Sequence, residues 1–311
     1  MRPLAQHVPR RTEDGIRFAL PDRDVAVAGD PDAIWGVIGL CDGTRTVDEI
    51  VAQSGDHDGA VSALIDELMR EGALVDCTQA YRLLHRQASV DSPMFVDLDD
   101  AQLVELFEET FAPASTTGDP VALRTTSSPL LETAFARASS VPGEPRPVSF
   151  EELSTLLAAV YGRPGQARPV PSAGGLYPLA VHVAVRRRIG GLNPGVWWFD
   201  PGTGALRRTR DGAPDLTEVI LEHEVASGIA AANEPIVFVS ADLERPSRKY
   251  ANRGYRYALM EAGAAMQNAY LAAAELELPI RAIGGIHDRL AAELLDLDER
   301  CAALLALLLG R

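Results

Sequence analysis

The alternation of apolar and polar residues in the first part of the chain predicts short strands followed by three short helices. Residues 15–22, "GIRFALPD", and residues 24–30, "DVAVAGD", alternate with a period of two and predict two strands joined by a Pro/Asp turn. The helices are predicted in "PDAIWGVIGLCDG", "TVDEIVAQSG" and "DGAVSALIDELMREG", and the strand-like "ALVDC" follows them. Thr46 and Glu49 have the spacing of a capping box at the start of the second helix. This order of elements predicts a winged-helix-like domain within residues 1–84.

The rest of the chain divides into a connector and a second domain. Residues 85–130 contain one possible helix, "DDAQLVELFEETFA", and Ser/Thr/Pro-rich segments, so a linker is predicted there. Residues 131–311 are predicted to contain an amphipathic helix, "SFEELSTLLAAVYG", and three strands, "LAVHVAVR", "GVWWFD" and "PIVFVSAD". A long alanine-rich helix, "YALMEAGAAMQNAYLAAAELEL", follows. Because it is apolar on almost every face, we expect it to run through the domain centre or to pack against a second subunit.

Composition and charge exclude several classes of partner. The chain has 311 residues, of which 47% are hydrophobic, and a formal net charge of −15. That charge repels nucleic-acid phosphates, and the predicted third helix is itself acidic, so nucleic acid is not an expected partner. The predicted winged helix is therefore interpreted either as a structural or dimerising appendage or as a site for peptide or protein binding through its strand edge. With no long apolar run and no signal-like N-terminal segment, we expect a cytoplasmic protein that does not enter the membrane.

Cysteine and histidine patterns give no metal site. Cys41, Cys77 and Cys301 lie far apart, and buried free thiols are the simplest interpretation. The six histidines share no ligand spacing, and His182 alternates within a predicted strand as a packed or surface residue. The sequence also lacks a P-loop, a GxGxxG turn and an HExxH helix.

The segment "ARPVPSAGGLYPLAVHVAV" contains a loop of small residues that leads into a strand. Pro171 favours extended backbone, and Ser172 offers a hydroxyl group. Gly174 and Gly175 allow the main chain to approach a ligand closely. Such a loop can present backbone N–H groups to a polar ring or a phosphate. The alternative interpretation is purely structural: a tight turn that requires glycine would contain the same residues.

The segment "SRKYANRGYRYALMEAG" contains the only lysine, Lys249, whereas the chain has 28 arginines. Chance retention of Lys249 on a solvated loop, with Tyr250 as a core aromatic residue, is one explanation. The other is that Lys249 performs a role that a permanently protonated arginine cannot perform. Arg253 and Arg256 could bind a peptide backbone or form an ion pair with Glu261, and the ion pair is the simpler interpretation.

Four segments together resemble the nitroreductase-like flavoproteins in their order and spacing. They are "SFEELSTLLAAVYG", "PSAGGLYPLAVHV", the "KYANRGYRY" region with its long helix, and "AIGGIHD". More narrowly, residues 131–311 resemble the SagB/McbC-type azoline dehydrogenases, which oxidise thiazoline or oxazoline rings of peptides. The resemblance implies an α+β nitroreductase-like FMN-binding fold with a mainly antiparallel sheet, surrounding helices and a long central helix at a homodimer interface. It also implies FMN as the cofactor.

The resemblance assigns roles to individual residues. It implies that Lys249 and Tyr250 lie near the flavin and handle a proton. The residues that it implies for FMN binding are Arg137, Ser139, Pro171, Ser172, Ala173, Gly174, Gly175, Gln267, Asn268, Gly284, Gly285 and Arg311. The segment "FARASSV" departs from the family pattern because Ala138 and Val141 stand where basic residues are frequent, so phosphate binding would depend on Arg137 or Arg311. Asn268 is equally interpreted as a helix-packing amide.

The implied activity is oxidation of an azoline ring to an azole in a ribosomally made or carrier-bound peptide, a reaction in which a hydride and a proton leave the ring. A cyclodehydratase is a further possible partner. Two alternatives stay open. One is an NAD(P)H-dependent nitro or quinone reductase on the same fold, and the other is a non-catalytic peptide-binding scaffold with a degenerate flavin domain.

Overall fold

The computed structural model describes most of both predicted domains. The described residues are 1–5, 9–20, 23–55, 58–77, 126–140, 146–162, 164–221 and 235–310, with residues 81, 85, 99–101, 104, 226 and 228. Most of the predicted linker, the Pro/Asp turn at 21–22 and Arg311 lie outside them. No helix within these ranges combines the length and the apolar character needed to cross a membrane.

The N-terminal elements include the two strands, three helices and final strand that the sequence predicts, preceded by two short strands that it did not predict. The strands are β1 (Pro3–Ala5), β2 (Arg10–Thr12), β3 (Gly15–Ala19), β4 (Asp24–Ala28) and β5 (Leu74–Asp76), and the helices are α1 (Pro31–Leu40), α2 (Val47–Ser54) and α3 (Ala60–Arg70). Strands β2, β3 and β4 form an antiparallel sheet, and β1 pairs with β5. The capping box at α2 is confirmed, because Thr46 and Glu49 bond each other's backbone N–H groups. The interpretation as a winged helix stays a prediction.

The larger part of the molecule is built on one antiparallel sheet. Its strands are β6 (Leu179–Val185), β7 (Gly195–Asp200), β8 (Ala205–Asp211), β9 (Ile236–Asp242), β10 (Ile280–Ile283) and β11 (Cys301–Leu309). They lie in the order β10-β11-β9-β6-β7-β8, and every neighbouring pair is antiparallel. The helices are α4 (Pro129–Ala136), α5 (Phe150–Tyr161), α6 (Glu244–Tyr250), α7 (Arg253–Glu275) and α8 (Asp288–Leu295). The predicted α+β class with a mainly antiparallel sheet is confirmed.

The two faces of this sheet are buried in separate cores. Val183 and Val239 on one face pack in the cluster that includes α5 and α7, whereas Phe238 and Ala306 on the other face pack in the cluster that includes α8. Strand side chains point alternately to opposite faces, which is why consecutive residues of β9 enter different cores. Helices therefore cover the sheet on both sides, as in a three-layer α+β protein.

Helix α7 does not have the uniform burial expected for it. A stripe of small residues, including Ala258, Ala262 and Ala265, is buried, but Leu259 is 42% and Met260 is 65% exposed. The small stripe fits against α5 and the sheet, and none of the described elements covers Leu259 and Met260 on the other side of the helix. The expectation of burial within one domain is wrong, and packing against a second subunit stays a prediction.

Candidate active site

The small-residue loop lies between α5 and β6 in a left-handed backbone conformation. Ala173–Gly175 form one turn of 3₁₀-helix, in which Gly174 and Gly175 have φ angles of +61° and +66°. Tyr177 also has a positive φ, +47°, which is strained for a residue with a side chain. Gly174 and Gly175 are exposed, and Pro171 is exposed beside them. The loop therefore presents open main chain to the surface.

The structure brings Lys249 and Tyr250 directly against this loop. A Cβ atom built on Gly174 would lie 2.6 Å from Lys249 Nζ and 2.5 Å from Tyr250 Oη. The two polar atoms thus converge on one point, and only glycine leaves space for them there. Two segments more than seventy positions apart, which the sequence singles out separately, therefore form one cluster in the fold.

The end of α6 and the start of α7 fix this pair. Lys249 is in the last turn of α6, not in a loop, and it is exposed, whereas Tyr250 is half-buried. The Tyr250 ring meets the Tyr257 ring edge-on at 5.0 Å, and Lys249 Nζ lies 5.3 Å from the Tyr250 ring centroid. At Gly254 an added Cβ would lie 2.5 Å from the Ser247 backbone nitrogen, so a larger residue would separate α6 from α7.

A buried hydrogen-bond network, which we call the carboxylate clamp, consists of Tyr161, Ser172 and Glu261. Tyr161 Oη donates to Glu261 Oε1 at 3.1 Å and accepts from the Leu179 backbone N–H at 3.0 Å. The Ser172 hydroxyl also hydrogen-bonds the Glu261 side chain, and Ser172 Oγ accepts from the Tyr177 N–H at 2.8 Å. The clamp connects helix α7 to both the loop and the beginning of β6.

Burial raises the pKa of Glu261, although the hydroxyls of Ser172 and Tyr161 and the charges of Arg168 and Arg245 act in the opposite direction. Burial also raises the pKa of Tyr161, and the Glu261 carboxylate adds to this effect. The predicted ion pair of Glu261 with Arg253 or Arg256 is wrong. Both arginines are exposed, whereas Glu261 points inward to the two hydroxyl groups.

Arg168 covers the outer side of the clamp. Its guanidinium carbon lies 4.2 Å from the Tyr161 ring centroid and 5.1 Å from the Tyr177 ring centroid. Such contacts are attractive because the faces of aromatic rings carry negative potential. Arg168 therefore joins α5 to the strained end of the loop, a role that the sequence did not reveal.

A second network, which we call the hydroxyl clamp, consists of Ser139 and Tyr270 and holds the "FARASS" segment. Ser139 Oγ and Tyr270 Oη are 2.8 Å apart, and Tyr270 Oη accepts from the Ala282 N–H at 2.9 Å. The Arg137 guanidinium lies 5.4 Å from the Tyr270 ring centroid. No ion pair joins Arg137 to a carboxylate of the described residues, so its charge is available to an anion.

Several other predicted cofactor residues border the same helix. Asn268 Nδ2 donates to the Pro169 carbonyl oxygen at 3.2 Å and so ties α7 to the loop, and Gln267 is exposed beside it. Gly284 and Gly285 follow β10, and Gly284 is exposed with open space where a Cβ would stand. The structure thus places the predicted residues, apart from Arg311, around α7, the α6 end and the loop.

Side chains suited to metal binding do not gather in the described part of the chain, where no group of three or more forms. His182 is buried in β6, and burial lowers its pKa to about 4. Cys41 and Cys77 are buried free thiols and Cys301 is a half-buried one.

The protein is thus an α+β fold in which Gly174, Lys249 and Tyr250 form one cluster beside the central sheet. Residues 144–311 match the family model described as "Nitroreductase family", which covers more than half of the chain. The chain therefore belongs to the nitroreductase family. The predicted resemblance to nitroreductase-like proteins is confirmed, and the membership supports an oxidoreductase.

Two relatives match about half of the chain. The nitroreductase-like protein MJ1384 of Methanocaldococcus jannaschii is 35% identical over 164 residues, which are 49% of this chain and 77% of the relative. The microcin B17-processing protein McbC of Escherichia coli is 29% identical over 164 residues, which are 50% of this chain. The match spans 59% of McbC, less than two thirds of its length.

Solved structures show the same fold. The E. coli microcin synthetase McbBCD complex with truncated pro-MccB17 bound matches with a TM-score of 0.60 and 24% identity, over 76% of this chain and 92% of that chain. A nitroreductase-like protein of Anabaena variabilis matches with a TM-score of 0.50 and 24% identity, over 71% of this chain and 49% of that chain. At this identity the similarity establishes the fold alone.

Proposed function

We propose that this protein is an FMN-dependent oxidoreductase that converts thiazoline or oxazoline rings of a peptide to thiazoles or oxazoles. The observation that carries the proposal is the convergence of Lys249 Nζ and Tyr250 Oη on Gly174 of the loop. The match to a protein named for microcin B17 processing supports a peptide as the substrate.

The residues of the site fit FMN. Arg137 carries a charge that no described carboxylate pairs with, which suits the phosphate group. The exposed main chain at Gly174, Gly175 and Gly284 suits a flat polar ring, because an added Cβ at Gly175 or Gly284 would meet nothing within 4 Å. Ser139, Pro171, Ser172, Ala173, Gln267, Asn268, Gly285 and Arg311 complete the proposed set. The chemistry that FMN supplies when bound is hydride acceptance.

The Lys249–Tyr250 pair would manage the proton that must leave a ring carbon. A phenol or an ammonium group at neutral pH holds its proton too tightly for the oxygen or nitrogen to act as a strong base. A neighbouring ammonium eases deprotonation of a phenol, and burial favours the neutral form of an amine. Lys249 Nζ beside the Tyr250 ring is suited to stabilise a phenolate at Tyr250 Oη while that atom takes the proton. Lys249 is exposed, so the desolvation expected for a neutral amine would come from bound peptide or a second chain.

Assembly with other chains is part of the proposal. Leu259 and Met260 on α7 and Leu130 and Phe135 on α4 are exposed apolar side chains, which supports a homodimer that covers them. A cyclodehydratase would supply the azoline, and the N-terminal elements are candidates for holding the peptide or that enzyme. Dioxygen is the proposed final electron acceptor.

The decisive test is mass spectrometry of an azoline-bearing peptide after incubation with the flavin-loaded protein. We expect a loss of about 2 Da for each ring, the mass of the departing hydride and proton. Lys249→Ala and Tyr250→Phe should retain flavin and abolish this loss. Unchanged turnover in both variants would refute the assigned roles.

Matched controls separate amine chemistry from charge. Lys249→Arg keeps the positive charge but cannot become neutral. Retained turnover would assign Lys249 the stabilisation of a Tyr250 phenolate, and lost turnover would assign it a role that needs the neutral amine. Arg248→Lys adds an amine one position away on the same helix, where Arg248 pairs with Glu244, and it should leave turnover unchanged.

Family membership also fits an NAD(P)H-dependent nitro or quinone reductase. Anaerobic mixing distinguishes the two activities. Rapid bleaching of the bound flavin by NAD(P)H, without azole formation, would favour the reductase. A purified protein that binds no FMN would favour a non-catalytic scaffold.

A further inference from the structure

Glu261 is the one buried carboxylate in the described part of the chain. It is 3% exposed and lies in α7 among buried alanines such as Ala258 and Ala262. A carboxyl group placed in an apolar helix face costs stability unless hydrogen bonds compensate it. Its position therefore calls for an explanation beyond packing, and the carboxylate clamp supplies one.

In the carboxylate clamp, backbone N–H groups donate to the two hydroxyl oxygens, and the two hydroxyl groups donate to Glu261. The Tyr177 N–H occupies an acceptor position of Ser172 Oγ, and the Leu179 N–H does the same at Tyr161 Oη. Both hydroxyl groups then have their own O–H to donate, and both meet Glu261. A carboxylate accepts such bonds at both oxygens, whereas a protonated carboxyl or an amide brings donors of its own. The clamp thus requires acceptor oxygens from residue 261, although burial of that carboxyl group raises its pKa.

The backbone that the clamp holds is strained. Tyr177, whose N–H the clamp fixes through Ser172, has a φ of +47°, whereas Gly174 in the same loop adopts its φ of +61° without strain because it has no Cβ. Strained backbone persists when surrounding contacts determine it. Because Gly174 also contacts Lys249 Nζ and Tyr250 Oη, a change in the loop would be transmitted to that pair.

We propose that Glu261 is a positioning residue, which through Tyr161 and Ser172 holds the 172–177 loop in the conformation that places Gly174 against Lys249 and Tyr250. The proposal rests on the proposed function for its effect on turnover, but its structural part can be tested independently. Glu261 itself does not contact the reacting groups in this assignment.

Three elements place ionisable groups around Glu261. Tyr161 comes from α5, Arg168 from the segment before the loop, and Arg245 from α6. The two arginines lower the pKa of Glu261 and burial raises it, and the effect of burial is the larger one. The Tyr161 hydroxyl stays neutral because burial raises its pKa. Protonation of Glu261 is therefore the event that would change the clamp on acidification.

Amide hydrogen exchange tests the proposal without any substrate. In Glu261→Gln, the Tyr177 and Leu179 amides should exchange about tenfold faster, the effect of weakening one buried hydrogen bond at each. The Ala282 amide, which donates to Tyr270 outside the clamp, should not change. Glu275→Gln makes the same substitution at an exposed position of α7 and should leave all three amides unchanged. Unchanged Tyr177 and Leu179 exchange in Glu261→Gln would overturn the proposal.

The wild-type protein provides a second measurement if Glu261→Gln does not fold. Protection of the Tyr177 and Leu179 amides, after correction for intrinsic exchange, should rise together as the pH decreases through the raised pKa of Glu261, because the closed clamp binds that proton more tightly than an opened, hydrated one. Protection of the Ala282 amide should stay constant across that range. Constant protection at all three amides would overturn the proposal.

Turnover distinguishes positioning from a general loss of folding. Per flavin-loaded molecule, Glu261→Gln should lower kcat for azole formation by up to about a hundredfold with little change in KM, since small displacements of reacting groups have effects of this size. An unchanged kcat per loaded molecule, with less folded protein, would mean that Glu261 is only structural. If wild-type protein oxidises no azoline, the proposed function fails, and the exchange result still decides the role of Glu261.

Discussion

The two clamps on α7 have a similar design and very different surroundings. In each, a tyrosine hydroxyl accepts a backbone N–H bond from the beginning or middle of a strand, and an arginine lies over the ring. Tyr161 meets a buried carboxylate, whereas Tyr270 meets the exposed Ser139. The carboxylate clamp can therefore lose a bond only by leaving buried polar groups unpaired, while water can replace Ser139 in the hydroxyl clamp.

This difference assigns different mechanical roles to the two sides of the site. The 172–177 loop is held by bonds that are costly to break, which suits a segment that determines where Lys249 and Tyr250 lie. The segment around Arg137 and Ser139 can adjust at little cost, which suits the binding of a flexible phosphate group.

The largest expected effect comes from deleting the two tyrosine hydroxyls. Tyr161→Phe should reduce the free energy of unfolding by about 3 kcal/mol, because it leaves both the Leu179 N–H and Glu261 short of a partner in the core. Tyr270→Phe should cost less, about 1 to 2 kcal/mol, because it leaves only the half-buried Ala282 N–H short of a partner while the exposed Ser139 regains water. Urea denaturation of both variants measures the values. Equal losses would remove the distinction between the clamps.

A smaller loss of stability is expected at the loop glycines. Gly174→Ala and Gly175→Ala should each cost about 1 to 2 kcal/mol, because both residues have a positive φ. Only Gly174→Ala introduces a methyl group against Lys249 and Tyr250, since nothing lies within 4 Å of the equivalent point on Gly175. Azole formation should be lost in Gly174→Ala well beyond any loss in Gly175→Ala. Similar activities would show that the loop contact does not matter for turnover.

The most delicate comparison is the pH dependence of stability. The pKa of Glu261 is raised in the folded protein. The pH-dependent contribution of Glu261 to the free energy of unfolding is therefore favourable below the unfolded pKa and is lost as the pH rises through the folded pKa. The unfolding free energy of wild type minus that of Glu261→Gln should therefore decrease with rising pH. The same difference for Ser139→Ala should be flat. Denaturation series from about pH 4 to about pH 8 measure both differences.

His182 must be accounted for in that experiment. Burial lowers the pKa of His182 to about 4 in the folded protein. The contribution of His182 to the free energy of unfolding is therefore favourable above the unfolded pKa of 6.5 and is lost as the pH falls through the folded pKa. This sign is opposite to that of Glu261. Because His182 is present in both proteins of each pair, its contribution cancels in the differences. A flat Glu261 difference would contradict the raised pKa.

Sequence patterns predicted the elements whose burial is periodic. The helix at 150–161 and the strands at 179–185, 195–200 and 236–242 follow from apolar periodicity, and each was confirmed. Strand β8, "ALRRTRD", gave no signal because nearly all of its side chains are exposed at the edge of the sheet. Strand β11, "CAALLALLL", is an uninterrupted apolar run, a pattern shared by buried strands and buried helices, and its two hydrogen-bonded neighbours decide the outcome.

The candidate site was predictable in its parts but not in its connections. The loop glycines and Lys249 were visible as unusual residues, and Pro246 in the first turn of α6 concealed that Lys249 lies in a helix. Glu261 did carry a signal, a single acidic residue within an alanine-rich stretch. Its partners Tyr161 and Ser172 come from other elements, so only the fold could identify the clamp.

The uniqueness of Lys249 has a practical consequence. Since it is the only side-chain amine in the chain and is exposed, reductive methylation with ¹³C-formaldehyde would install a single side-chain probe beside Tyr250, to be distinguished only from the signal of the labelled terminal α-amine. The chemical shift of that dimethylamine would report flavin loading and peptide docking as they occur. Few proteins allow a candidate reaction centre to be isotopically tagged by a general reagent.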